Sequence, residues 1–402
     1  MAYLDHAATT PMLPAAIAAM TKELGEVGNP SSLHAAGRRA RRVVEEGREA
    51  IAGAFGARPS EVVFTGGGTE SDNLAIKGLY WARQHDRPRP RILASAVEHH
   101  AVLDPVQWLV DAQGAEVVWL DVDAVGRVDP RQVRDEIARD PDAVALVTVM
   151  WANNEVGTVQ PVLECVSAAT SYGIPMHSDA VQAAGWLDLD FAASGLDALT
   201  ISGHKIGGPL GIGAVLLSRS ATPTPLVHGG GQERDVRSGT LDTPAIAGFA
   251  AAAVEATDYR VARLNTVAAL RDELVAGVLQ AIPDARLNGD PRLDVEHRLP
   301  GNAHLSFPGC EGDSLLMLLD AHGVHCSTGS ACSAGVAEPS HVLLAMGATP
   351  AEARSSLRFS LGHSSTSADV RELCAAIGPV VARARAARPA SSPAPSPLTG
   401  QA

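Results

Sequence analysis

Short apolar, β-rich runs alternate along the first half of the chain with longer Ala-rich stretches whose apolar residues recur at helical spacing. The runs are Glu61–Thr65, Arg91–Ser95, Glu116–Leu120, Val144–Met150, Pro175–Ser178, Ala198–Ser202 and Gly213–Leu217. Strands separated by helices require crossover connections, so the pattern predicts an α/β fold: a mainly parallel seven-stranded sheet with helices on both faces. In such sheets ligands bind where loops leave the carboxyl ends of strands. Past Gly248 the pattern changes to one long Ala/Leu/Val helix, expected from Ile246 to Leu279, then an Asn/Gly/Asp/Pro loop, the strand-like Gly301–Phe307 and further helices. This predicts a smaller α+β domain. The expected division is an N-terminal segment (1–14) packing with the small domain, a large domain (15–260), a small domain (261–386) and a tail (387–402). The Pro/Ser/Ala-rich tail has no periodic apolar face, which predicts disorder.

A length of 402 residues agrees with two domains, and 46% hydrophobic with 19% charged residues suits a globular protein. The formal charge of −13 argues against nonspecific binding to nucleic acid, which rests on clustered Lys and Arg releasing counterions. The one dense basic run, Arg38, Arg39, Arg41 and Arg42, reads as a solvated helix face. No stretch of 18 uninterrupted apolar residues occurs, and the start MAYLDHAATT lacks the basic and apolar regions of a secretory signal; a cytoplasmic protein without membrane contact is expected. The five cysteines are too few and too scattered for a disulfide framework, and none has CxxC spacing, so no metal site is expected.

Three segments carry chemistry. Lys205 follows the strand ending at Ser202 and precedes a Gly-rich turn, where a buried ammonium loses its charge readily enough to form a Schiff base. Upstream, Asp179 ends another apolar strand, with Gln182 three residues on; a carboxylate there would pair with a pyridine nitrogen, although an Asp after a strand is also a common helix cap. The third is Thr65–Asn73, a glycine run between a strand and a helix, whose backbone N–H groups and the Thr69 hydroxyl make a phosphate cradle. It matches neither a dinucleotide fingerprint nor a P-loop. Each segment alone has a bland reading; together they converge on pyridoxal 5'-phosphate.

The strings LDHAATTP, GGTESDNLAIKG, EHHAVLD, NNEVGT, HSDAVQ, SGHKIGGPLGIGA, HGGGQERDVRSGT, STGSACSAG, EPSHVL and SSLRFSLG run in order from Tyr3 to about Gly362. They resemble the cysteine desulfurases of the IscS/NifS type, within the class V aminotransferase fold. The resemblance implies a homodimeric enzyme that removes sulfur from L-cysteine, leaving L-alanine and a persulfide on Cys332. It implies that Lys205 binds the cofactor covalently and removes the α-proton, that Asp179 pairs with the ring nitrogen, and that Gln182 bonds the phenolic oxygen. Gly68, Thr69, Ser202 and His204 would hold the phosphate, Thr240 reaching in from the neighbouring subunit. His99 would stack on the ring and accept the proton of the Cys332 thiol, while Asn154 and Arg358 would receive the substrate carboxylate. The persulfide would pass to acceptor proteins such as an iron–sulfur scaffold, with Cys332 in transient contact with a cluster. Cys326 is expected to be structural, and Cys165, Cys310 and Cys374 carry no assigned chemistry.

Overall fold

The computed structural model of the chain describes residues 1–328 and 339–387. In chain order the elements are β1 (Ala2–Tyr3), α1 (Pro14–Leu24), α2 (Ala35–Ala54), β2 (Val62–Thr65), α3 (Gly68–Ala82), β3 (Arg91–Ser95), α4 (His100–Gln113), β4 (Glu116–Leu120), α5 (Pro130–Arg139), β5 (Val144–Thr148), α6 (Val162–Thr170), β6 (Met176–Asp179), α7 (Phe191–Ser194), β7 (Ala198–Ser202) and β8 (Gly213–Leu217). There follow α8 (Thr243–Asp258), α9 (Arg260–Ala281), β9 (Arg286–Leu287), β10 (Asn302–Ser306), α10 (Gly312–Ala321), β11 (Val324–His325), α11 (His341–Ala345), α12 (Pro350–Arg354), β12 (Ser356–Ser360) and α13 (Ser367–Ala386).

Seven strands form one sheet in the order β2-β8-β7-β6-β5-β3-β4. The pairings from β7 through β6, β5 and β3 to β4 are parallel, while β8 lies antiparallel to both β2 and β7. Strands β5, β7 and β8 are buried along their whole length, as expected when helices cover both faces of a sheet. Each expected strand of the large sheet is present, four with the expected bounds and the other three with ends displaced by one or two residues.

The long helix expected from Ile246 to Leu279 is instead two, α8 and α9, separated at Tyr259. Tyr259 closes α8 by bonding back to Glu255 and Thr257, and Arg260 opens α9. Apolar periodicity continues through the junction, so it cannot report a change of axis.

A second core draws Ala2 and Leu4 together with Val267, Leu274, Leu305, Phe307, Phe359 and Ile377, beside the antiparallel sheet β12-β10-β9. Strand β1 pairs with β11, and Asp5 bridges to Ser360 at the end of β12. The first ten residues thus run from this second core back to the edge of the large sheet. The residues 388–402, most of the segment for which disorder is expected, lie outside the described residues. No helix of the described residues is long and apolar enough to cross a membrane.

Candidate functional site

A cavity of about 380 Å³ opens at the carboxyl ends of β3, β5, β6 and β7. Its lining includes Gly68, Thr69, His99, Asn154, Asp179, Gln182, Ser202, His204, Lys205 and Arg358, residues from segments far apart in the chain. Parallel strands deliver their exits to one edge, and that topology gathers these side chains.

Helix α3 starts at Gly68, so the N–H groups of its first turn have no partners within the helix and face the cavity mouth. Gly67 adopts φ 140°, a conformation other residues rarely take. A Cβ on Gly68 would stand 3.0 Å from Val181 Cγ2 and 3.6 Å from Ser202 Cβ, crowding the cradle. On the opposite side, His204 Nδ1 lies 3.2 Å from Thr9 Oγ1.

Asp179 ends β6 on the cavity floor, where Val181 N donates to its Oδ1 at 2.8 Å. Burial, reinforced by the neighbouring Asp72 carboxyl, pushes Asp179 up to about 7. A buried carboxyl in this condition ionises readily once a cation arrives beside it. Below it, His177 is fully buried between Thr148 Oγ1 (2.9 Å) and Thr200 Oγ1 (3.0 Å), and desolvation keeps its ring neutral with a pKa of about 4. Asp72 and Glu98 are likewise raised by burial; Glu98 accepts from Met150 N at 2.6 Å.

The amine of Lys205 is lowered to about 8, first by desolvation and then by the Arg358 charge. His99 caps α4, its Nδ1 accepting from Ala101 N at 3.1 Å. Desolvation, with Lys205 adding to it, lowers its ring to about 4, so it is neutral and its proton sits on Nε2. That tautomer leaves Nε2 as the nitrogen free to face the cavity. Gln182 Nε2 donates to Ala7 O at 2.9 Å, and Arg358 donates to Asn154 O at 3.1 Å and to Asp5 Oδ1 at 2.9 Å.

Thr240 is exposed and lies outside the cavity lining of its own chain. Cys332 lies outside the described residues, although Ser327 before it and His341 after it both line the cavity. Cys326 is buried, which pushes its thiol up to about 12, and the same holds for Cys165. Thiols so raised are poor nucleophiles.

Sequence reasoning left out the contribution of Ala7 and Ala8, which line the cavity, and of Asp5 and Thr9, which contact Arg358 and His204 of its lining. The string LDHAATTP marked the segment, but nothing in its spacing placed it beside Lys205. Glu155 was also missed: it is buried, lines the cavity, and accepts from Ser340 Oγ at 2.5 Å.

A family model described as aminotransferase class-V matches residues 2–373. The chain is 59% identical to an IscS-like cysteine desulfurase of Mycobacterium tuberculosis, the match covering 96% of this chain and 98% of that protein. It is 41% identical to the cysteine desulfurase IscS of Methanosarcina thermophila, over 95% and 92% of the two chains. Among solved structures it is similar to a NifS-like protein (TM-score 0.87, 32% identity, 95% and 100% covered) and to SspA in complex with cysteine (TM-score 0.77, 34% identity, 91% and 100% covered).

Proposed function

The chain belongs to the aminotransferase class-V family, and we infer that within it the protein is a cysteine desulfurase that uses pyridoxal 5'-phosphate. The observation that carries this reading is one cavity holding the Lys205 amine, the Asp179 carboxyl and the open first turn of α3. These residues fit the cofactor. The cradle at Gly68 and Thr69, faced by Ser202 and His204, suits the phosphate; Asp179, buried and raised to about 7, suits a protonated ring nitrogen; Lys205 suits the aldehyde. His99 and Gln182 would meet the ring face and the phenolic oxygen. When bound, the cofactor supplies an electron sink for the pair left behind by loss of a proton from the substrate's α-carbon.

The chain's own residues do the rest. Arg358 and Asn154 receive the carboxylate of L-cysteine, the planar guanidinium matching its two oxygens. Lys205, with its amine lowered to about 8, takes the α-proton near neutral pH. The Cys332 thiolate bonds to the substrate's sulfur as the C–S bond breaks; that bond's electron pair stays on the β-carbon, which takes up a proton and becomes the methyl of L-alanine, and the α-carbon regains a proton from Lys205 before release. The products are L-alanine and a persulfide on Cys332, with no external oxidant or reductant required.

The sulfur then passes to acceptor proteins, an iron–sulfur scaffold among them. The assembly we propose is a cytosolic homodimer. Leu33, Leu210 and Val227 are exposed apolar side chains that a second copy would cover, and Thr240, outside its own cavity, would complete the partner's phosphate cradle. The reading is tested by incubating the holoenzyme with L-cysteine, then measuring alanine and alkylation-trapped persulfide. Equimolar alanine and persulfide in the first turnover are expected, with Cys332→Ser abolishing the persulfide; keto acid in place of alanine would overturn the reading.

A further inference from the structure

The carboxylate of Asp5 accepts from Arg358 Nη2 at 2.9 Å, and the position of that carboxylate is built by the backbone. Asp5 bridges to Ser360 alongside the end of β12, two residues beyond Arg358 on the same strand. His6 N donates to Ser360 O at 3.2 Å and Ala7 N donates to Ser360 Oγ at 2.9 Å. The Tyr3 hydroxyl ties the turn together, bonding Asp5 O at 3.2 Å and Thr9 O at 2.7 Å. Arg358 itself is nearly buried; Nη1 is held by Asn154 O, Nη2 by Asp5, and Nε has no partner among the described residues. The guanidinium therefore meets the cavity with its plane fixed from two sides and its charge already shared with one carboxylate.

We propose that Asp5 is a positioning residue for substrate binding: it sets the orientation of Arg358 toward the α-carboxylate and, by competing for the same guanidinium, keeps carboxylate affinity moderate. The proposal rests on Arg358 being the carboxylate receiver. A guanidinium relieved of its internal partner has more of its charge to give to a bound carboxylate, but it also gains rotational freedom. The two consequences point in opposite directions for binding and turnover, whereas a purely structural residue would weaken both.

The test is calorimetric titration of the cofactor-loaded enzyme with L-alanine and, as the ligand lacking a carboxylate, with L-alaninamide. Asp5→Asn is expected to lower the Kd for L-alanine roughly three- to tenfold, leave L-alaninamide unchanged, and reduce kcat for alanine release about tenfold. Asp5→Glu, which retains the charge, should keep the native Kd for L-alanine; Asp5→Ser serves as the second uncharged variant should Asn fold poorly. An unchanged or weaker affinity for L-alanine in both uncharged variants would overturn the proposal. Arg358→Gln is the control for the underlying reading: it should abolish the preference for L-alanine over L-alaninamide, and persistence of that preference would show that another residue receives the carboxylate, overturning the proposal with it.

Discussion

The Lys205 amine lies 2.5 Å from the carbonyl oxygen of Ala7, and 2.9 Å from that of Ala8. Two backbone acceptors from the start of the chain thus hold the group that ends the loop after β7. The contact gives the amine a resting place within the cavity, from which it can meet an aldehyde or take a proton. It also explains why the N-terminal segment must be docked before the site is complete.

Replacing Lys205 by Ala removes the only side-chain amine among the described residues that line the cavity. Borohydride treatment followed by denaturation and mass measurement should find cofactor fixed to the native chain and none fixed to Lys205→Ala. Noncovalent retention of cofactor in the variant would be weaker but present, because the α3 cradle is untouched.

Asp179→Asn keeps the shape of the floor but cannot carry the charge a protonated ring nitrogen needs. Alanine formation should fall by a factor on the order of 10² or more, as expected for loss of a preorganised charge in a closed site. Circular dichroism of the apo-protein should stay native and its melting temperature should not fall, rising above pH 7 if anything, because burial raises this carboxyl to about 7 and its ionised form destabilises the empty site.

Asp72 offers a test of pH dependence. Its carboxyl is wholly buried, with His177 Nε2 3.4 Å from Oδ1 and the Thr200 hydroxyl beside it. Desolvation raises it to about 7, only partly eased by the Thr200 hydroxyl. Between the ordinary carboxylate range and about pH 7 the folded protein keeps a proton that the unfolded chain has lost, so this group's contribution to stability falls as pH rises through that window. Asp72→Asn should therefore stabilise the apo-protein at pH 8 relative to native by an amount on the order of 1–3 kcal/mol, and by little at pH 4. Urea denaturation of both proteins at the two pH values measures the difference, which cancels the opposite contribution of the buried histidines.

Glu233 holds the segment leading to Thr240 against the large sheet. It accepts from Arg48 Nη1 at 2.8 Å and Nη2 at 2.6 Å, and from Phe64 N at 2.8 Å, with its side chain wholly buried. Glu233→Ala leaves the buried guanidinium with only the partly exposed Glu45 as a counter-charge and Phe64 N without its acceptor, a change that costs about 3–5 kcal/mol. The melting temperature should drop accordingly, and if Thr240 completes a partner's site, cofactor affinity should drop with it.

Much of the architecture was legible in the order of residues. Seven apolar runs with helical spacers led directly to the sheet, because strand length and side-chain period are local properties of the chain. The glycines before α3, Asp179 and Lys205 were legible for the same reason, since each stands at a strand exit. The junction at Tyr259 was not, because one apolar stripe serves equally for a single long helix or for two. Nor was the tautomer of His99, which depends on its capping bond to Ala101 N.

Local pattern, then, determined which residues of this protein could hold a phosphate, an aldehyde or a ring nitrogen. Tertiary structure alone decided that Asp5 would neutralise Arg358, that Ala7 and Ala8 would receive Lys205, and that Asp72, Glu98 and Asp179 would be buried within reach of one another's charge. The reason is physical: chemical type and periodicity are written residue by residue, whereas charge pairing and desolvation arise between segments hundreds of positions apart, and exist only once the sheet has brought them together.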